Sequence, residues 1–124
     1  MRVFKTKPFA RFSSHEGIDD EQLCEAVHRA EAGLIDADLG GGVIKVRLAR
    51  PGQGKSGGFR SIVLFRRGAR AFFVYGFAKN RRGNISRNEL TAFRALANEL
   101  LVLNKKALLA AIRNRTITEI TCHG

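Results

Sequence analysis

The chain has 124 residues, is 44% hydrophobic and carries a formal net charge of +11, which fits one domain with an ordinary core and excludes global disorder. No apolar run approaches the length of a membrane-spanning helix, and the N-terminus Met1-Arg2-Val3-Phe4-Lys5 lacks the apolar stretch of a signal peptide. The charge is not spread: residues 39–88 hold twelve Lys and Arg and no acid, while residues 1–38 hold eight acids against five bases. One-signed charge raises self-repulsion, so this concentration points to a polyanionic partner, nucleic acid above all.

In chain order, Val3–Thr6 is a candidate first strand. A short helix is expected around Pro8–Ser14, where Phe9 and Phe12 stand three apart and Pro suits a first turn. Asp19 and Gln22 form a capping box, with Ile18 and Leu23 as its hydrophobic staple. Leu23, Ala26, Val27 and Ala30 continue that helix at helical spacing, and Gly33 suits its C-terminal cap. The period then changes from helical to alternating. In Val43–Leu48, Ile44, Val46 and Leu48 share one face and Lys45 and Arg47 the other. Phe59–Phe65 and Ala71–Phe77 read as strands joined by the basic turn 66–70, an antiparallel hairpin. Ser86 and Glu89 repeat the capping-box pattern, and Leu90, Phe93, Leu96, Ala97, Leu100 and Leu101 supply an apolar stripe behind it. Asn104 caps a further helix, and Thr116–Thr121 is a candidate last strand. The expectation is a single α+β domain over residues 1–124: N-terminal helices, a central antiparallel sheet of three to four strands, and C-terminal helices.

Residues 49–58 (ARPGQGKSGG) invite two misreadings. Gly54-Lys55-Ser56 looks like the end of a Walker A loop, but position 49 is Ala and the following Phe59-Arg60-Ser61-Ile62-Val63 reads as a strand where that motif needs a helix. The same missing helix removes the physical basis of the Gly52-x-Gly54-x-x-Gly57 dinucleotide pattern. What remains is a glycine loop flanked by Arg50, Lys55 and Arg60, cations able to hold a phosphate that closely approaches the backbone.

Cys24 and Cys122 lack metal or redox spacing and read as reduced thiols. His15, His28 and His123 read as surface residues, and no carboxylate cluster offers a divalent-metal site. Chemistry on nucleic acid would then proceed without metal or cofactor. RNA permits that, because its 2′-OH attacks its own phosphodiester once positioned, with cations stabilising the developing charge. Lys45 and Lys55 are the candidate proton acceptors.

The strings GKSGGFR (54–60) and FFVYGFAKN (72–80), set between the basic strand and the Ser86 helix, resemble the RelE/HigB-like toxins of bacterial type II toxin–antitoxin modules. The resemblance spans nearly the full chain. It implies a compact microbial-ribonuclease-like fold and a cytoplasmic toxin that cuts mRNA on the ribosome. It also implies a cognate antitoxin, plausibly with a helix-turn-helix domain. Carried over by position, Lys45, Arg47 and Arg60 match the family's catalytic cations. Arg50, Lys55, Lys79, Arg81 and Arg82 are the further RNA-binding candidates. The arginine expected directly after Lys79 is displaced, and no tyrosine follows where some members have a catalytic one; Tyr75, in a strand, has a core or stacking role. Two rival readings stay open. One is a ParE-like toxin acting on DNA gyrase, against which the retained cations argue. The other is a non-catalytic RNA- or ribosome-binding protein.

Overall fold

The structure is a computed structural model that describes residues 1–49 and 58–122. In chain order its elements are β1 (Arg2–Thr6), α1 (Lys7–Glu16), α2 (Asp20–Glu31), β2 (Ala37–Gly40), β3 (Val43–Leu48), β4 (Phe59–Arg66), β5 (Arg70–Ala78), α3 (Arg87–Leu100), α4 (Lys105–Arg113) and β6 (Ile117–Ile120). The local signals act as written. Asp19 accepts from the Gln22 amide at 2.9 Å while Gln22 Oε1 accepts from the Asp19 amide at 3.2 Å. Ser86 and Glu89 close the second box at 3.1 and 2.7 Å, and Asn104 Oδ1 accepts from the Ala107 amide to start α4. Gly17 takes a left-handed φ of 70° and stops α1.

The sheet is larger than expected. Its order is β2-β3-β4-β5-β1-β6, six strands where three to four were anticipated. It is mixed, because β1 pairs parallel to β5 and antiparallel to β6. The unanticipated member is β2, whose sequence Ala37-Asp38-Leu39-Gly40 has little strand propensity. It forms because Gly40, Gly41 and Gly42 all adopt positive φ and fold it back on β3, pairing Ala37 with Lys45.

Helices cover both faces. α1 and α2 bury Phe9, Leu23, Ala26 and Val27 against Ile44, Val46, Val63 and Phe73. On the other face Ala97 of α3 and Leu108 of α4 pack with Phe4, Val43, Ile62, Leu64 and Phe72. Central β4 is therefore buried continuously from Phe59 to Leu64, the pattern of a strand with apolar layers on both sides.

One irregularity decides what faces where. Ile62 pairs with Tyr75 but Val63 pairs with Phe73, leaving Val74 as a bulge in β5. Before the bulge Phe73 packs on Phe9 of α1. After it Tyr75 turns to the opposite face and meets Phe93 of α3, and Gly76 turns under α1. A Cβ on Gly76 would lie 2.2 Å from Phe12 Cε2. Gly76→Ala should therefore lower stability by about 1–3 kcal/mol, with most of that cost removed when Phe12→Ala is combined with it. Urea titration of the two single variants and the double variant measures this.

Cys24 in α2 and Cys122, just past β6, are disulfide-bonded with Cα atoms 5.6 Å apart. This corrects the reading of two separate reduced thiols. Linear spacing could not show that β6 returns the end of the chain to α2. Among the described residues no helix is long and apolar enough to cross a membrane.

Candidate nucleic-acid site

Strand alternation puts Lys45 and Arg47 on one face of β3, and antiparallel register sets Arg60 of β4 opposite Arg47 and Ile62 opposite Lys45. The three cations share the face that carries Val43 and Ile62 farther along the sheet. They converge on a group the sequence did not single out, the carboxylate of Asp36. Its Oδ1 lies 3.2 Å from Arg47 Nε, and its Oδ2 lies 3.4 Å from Arg60 Nε and 3.6 Å from Lys45 Nζ. The backbone fixes Asp36 there, because its amide donates to the Lys45 carbonyl at 2.8 Å. Burial pushes the Asp36 carboxyl up. The hydrogen bond from Arg47 and the charges of Arg60, Lys45 and Arg47 more than reverse that, holding it below the usual carboxylate value.

Strand alternation alone would set Arg60 on the same open face as Arg47, where its replacement would spare the fold. The structure corrects this: its side chain is 3% exposed, against 54% for Arg47. Its Nη1 also donates to the Phe59 carbonyl at 3.3 Å. Arg60 is thus a buried, oriented guanidinium, whereas Arg47 is the solvent-facing one.

The turn after β5 closes one side of the site. Asn84 Oδ1 accepts from Lys45 Nζ at 3.5 Å and from the Ile85 amide at 2.9 Å. Arg82 donates to the Asn84 carbonyl and, through Nη1, to Tyr75 Oη, each at 2.8 Å. The same guanidinium pairs with Glu89 and lies 5.6 Å over the Tyr75 ring. Arg82, expected as a cation available to RNA, is therefore engaged within the protein. Lys79 and Arg81 are exposed in the same turn, and the Lys79 amide bonds the Gly58 carbonyl, which keeps that turn at the site end of the sheet. Arg50 and Lys55 fall outside the described residues. Arg66, Arg67 and Arg70 sit at the far end of the β4–β5 hairpin, where Arg70 bonds the Leu100 carbonyl. The basic segment thus divides between two ends of one sheet.

Glu89 is held to about 2 by the hydrogen bond from Arg82, aided by the Ser86 amide. Its ordinary value is 4.5, so its stabilising contribution is complete above pH 4.5 and is lost as pH falls toward 2. The gap in melting temperature between wild type and Glu89→Gln should accordingly be constant above pH 4.5 and shrink below it, as a pH series of thermal melts would show.

Among the described residues no group of three or more His, Cys, Asp or Glu could hold a metal ion. His15 and His28 are exposed. Three cations around one carboxylate, beside an exposed basic turn, concentrate the kind of donors that bind anionic oxygens. Sequence reasoning missed Asp36 because it falls in the acidic third of the chain. The signal that could have found it was the Gly40-Gly41-Gly42 turn, which folds residues 36–38 onto Lys45.

Over residues 1–120 the sequence matches the family described as the RelE toxin of the RelE/RelB toxin–antitoxin system. No curated protein matches it.

Proposed function

The chain belongs to the RelE toxin family, and from that premise we propose that it is a ribosome-dependent endoribonuclease that cuts mRNA by attack of the 2′-OH on the adjacent phosphodiester, without a metal. The observation that carries this reading is the convergence of Lys45, Arg47 and Arg60 on one carboxylate. A bound phosphodiester would take over the charge that Asp36 now balances. Arg60, rigid and buried, would hold a non-bridging oxygen as charge grows on the phosphorane. Arg47 would bind the phosphate from solvent, and Lys45, fixed by Asn84, would manage the proton. Lys79 and Arg81, with Arg50 and Lys55, would track the flanking backbone, and the toxin would act in the cytoplasm. The same cationic face would receive an acidic segment of a cognate antitoxin, plausibly one with a helix-turn-helix domain.

Arg47 gives the cleanest test, because its exposed side chain leaves no cavity in Arg47→Ala and the lost pair with Asp36 costs the fold little. Expression of wild type in bacteria should arrest growth and produce in-frame cuts in translated messages by primer extension. Both should be strongly reduced in Arg47→Ala at equal protein level. Arrest without cuts would move the assignment to a non-nuclease target such as gyrase, and neither arrest nor cuts would leave a non-catalytic binder.

A further inference from the structure

The chain has two cysteines, 98 positions apart, and the fold brings both to one place. Cys24 lies in the second turn of α2, half-buried and packed against the apolar layer beneath that helix. Cys122 lies two residues past β6 and is exposed. Their Cα atoms are 5.6 Å apart, a separation that a disulfide spans without backbone movement. A permanent disulfide is out of place in a toxin acting in the cytoplasm, as proposed above, because thiol pools there keep cysteines reduced. Disulfides that do form in that compartment are mostly transient or redox-sensing. An exposed sulfur is open to exchange, and exposed disulfides are the labile ones.

The segment held by this bond has few other ties. β6 is four residues long and sits at the edge of the sheet, with β1 as its one neighbour. Ile117 and Ile120 are its buried side chains. Glu119 pairs with Arg2 at 2.8 Å, but both side chains are at least a third exposed, so that pair adds little. The crosslink, in contrast, spans 98 positions, and the entropy it removes from the unfolded chain grows with the length of the loop it closes. Lys45, Arg47 and Arg60 stand on β3 and β4, with β5 and β1 between them and β6. Opening the bond therefore acts on endurance of the fold and leaves the cationic centre in place.

We propose that Cys24 and Cys122 form a thiol–disulfide switch, in exchange with low-molecular-weight thiols, that sets how firmly the toxin resists unfolding. In the reducing direction a thiolate attacks the exposed Cys122 sulfur, the bond to Cys24 breaks, and Cys24 leaves as a thiolate. A second thiolate attacks the mixed disulfide and releases Cys122. The protons given up by the two thiols pass to the two cysteines, and the thiols depart as one disulfide, having supplied two electrons. A low-molecular-weight disulfide reverses each step. The cytoplasmic setting rests on the reading above, whereas the exchange itself is independent of RNA cleavage.

The test equilibrates the purified protein in mixtures of reduced and oxidised glutathione, from the ratio of a reducing cytoplasm to oxidised glutathione alone. Alkylation and mass spectrometry count the free cysteines. The pair should pass from two free thiols to none within that series, and reduction should lower the melting temperature by about 10 °C. Cys122→Ser should melt with reduced wild type in every mixture. A bond intact in the most reducing mixture would be a permanent staple, and free thiols in the most oxidising one would mean that no bond forms. Either result overturns the switch, as does a melting temperature unchanged by reduction. All three leave the nuclease reading standing, and loss of that reading in the primer-extension experiment would leave the exchange standing.

Discussion

Arg60→Lys is expected to cut messages about 10²–10³-fold more slowly than wild type, the usual cost of removing one preorganised donor from a developing anion. The variant keeps a positive charge for Asp36, so the fold should survive. It loses the rigid fork of the guanidinium, which a flexible ammonium does not reproduce. Arg60→Ala is the weaker experiment here. It would empty a site that is 3% exposed and leave Asp36 with two partners in place of three, mixing lost chemistry with lost stability. Single-turnover cleavage on programmed ribosomes separates the two, with denaturant melts as control. Wild-type rates in a folded Arg60→Lys protein would remove Arg60 from the catalytic set.

Asp36→Ala is expected to lower stability by about 3 kcal/mol, because it leaves a buried guanidinium and two neighbouring cations without their counter-charge. Inorganic phosphate should raise the melting temperature of Asp36→Ala more than that of wild type, since an added anion can occupy the vacated position and binding to the folded state stabilises it. Chloride at equal ionic strength should do so far less, which distinguishes occupancy from general screening. Equal responses to phosphate and chloride would mean that the three cations do not form a phosphate receptor.

Much of the fold was written locally and was legible. Both capping boxes, the Asn104 cap and the β4–β5 hairpin depend on residues a few positions apart. Long-range features were not legible. β2 has almost no strand signal of its own and exists because three glycines fold it onto β3. The parallel β1–β5 pairing joins residues nearly seventy positions apart and leaves no pattern in either segment. Of the site, Lys45, Arg47 and Arg60 could be placed by alternation and by the family strings, because strand phase and register are local matters. Asp36 could not, since its role depends on tertiary return of the chain. Tyr75 was read correctly as lying in a strand. Simple alternation from Phe73 would have set it toward α1, and the Val74 bulge turns it to the cationic side. The charge block pointed toward the sheet but blurred its two ends, because composition carries no direction.

The bond between Cys24 and Cys122 reaches beyond stability. Cys122 is carried by β6, and β6 joins the sheet only through β1. β1 in turn joins only by lying alongside β5. In the fold the sulfurs meet where β1 lies between β5 and β6, so the crosslink ties α2 to the placement of that first strand. A chain whose first strand has strayed from β5 would not bring β6, and Cys122 with it, to α2. Covalent closure therefore records that β1 has found its place beside β5.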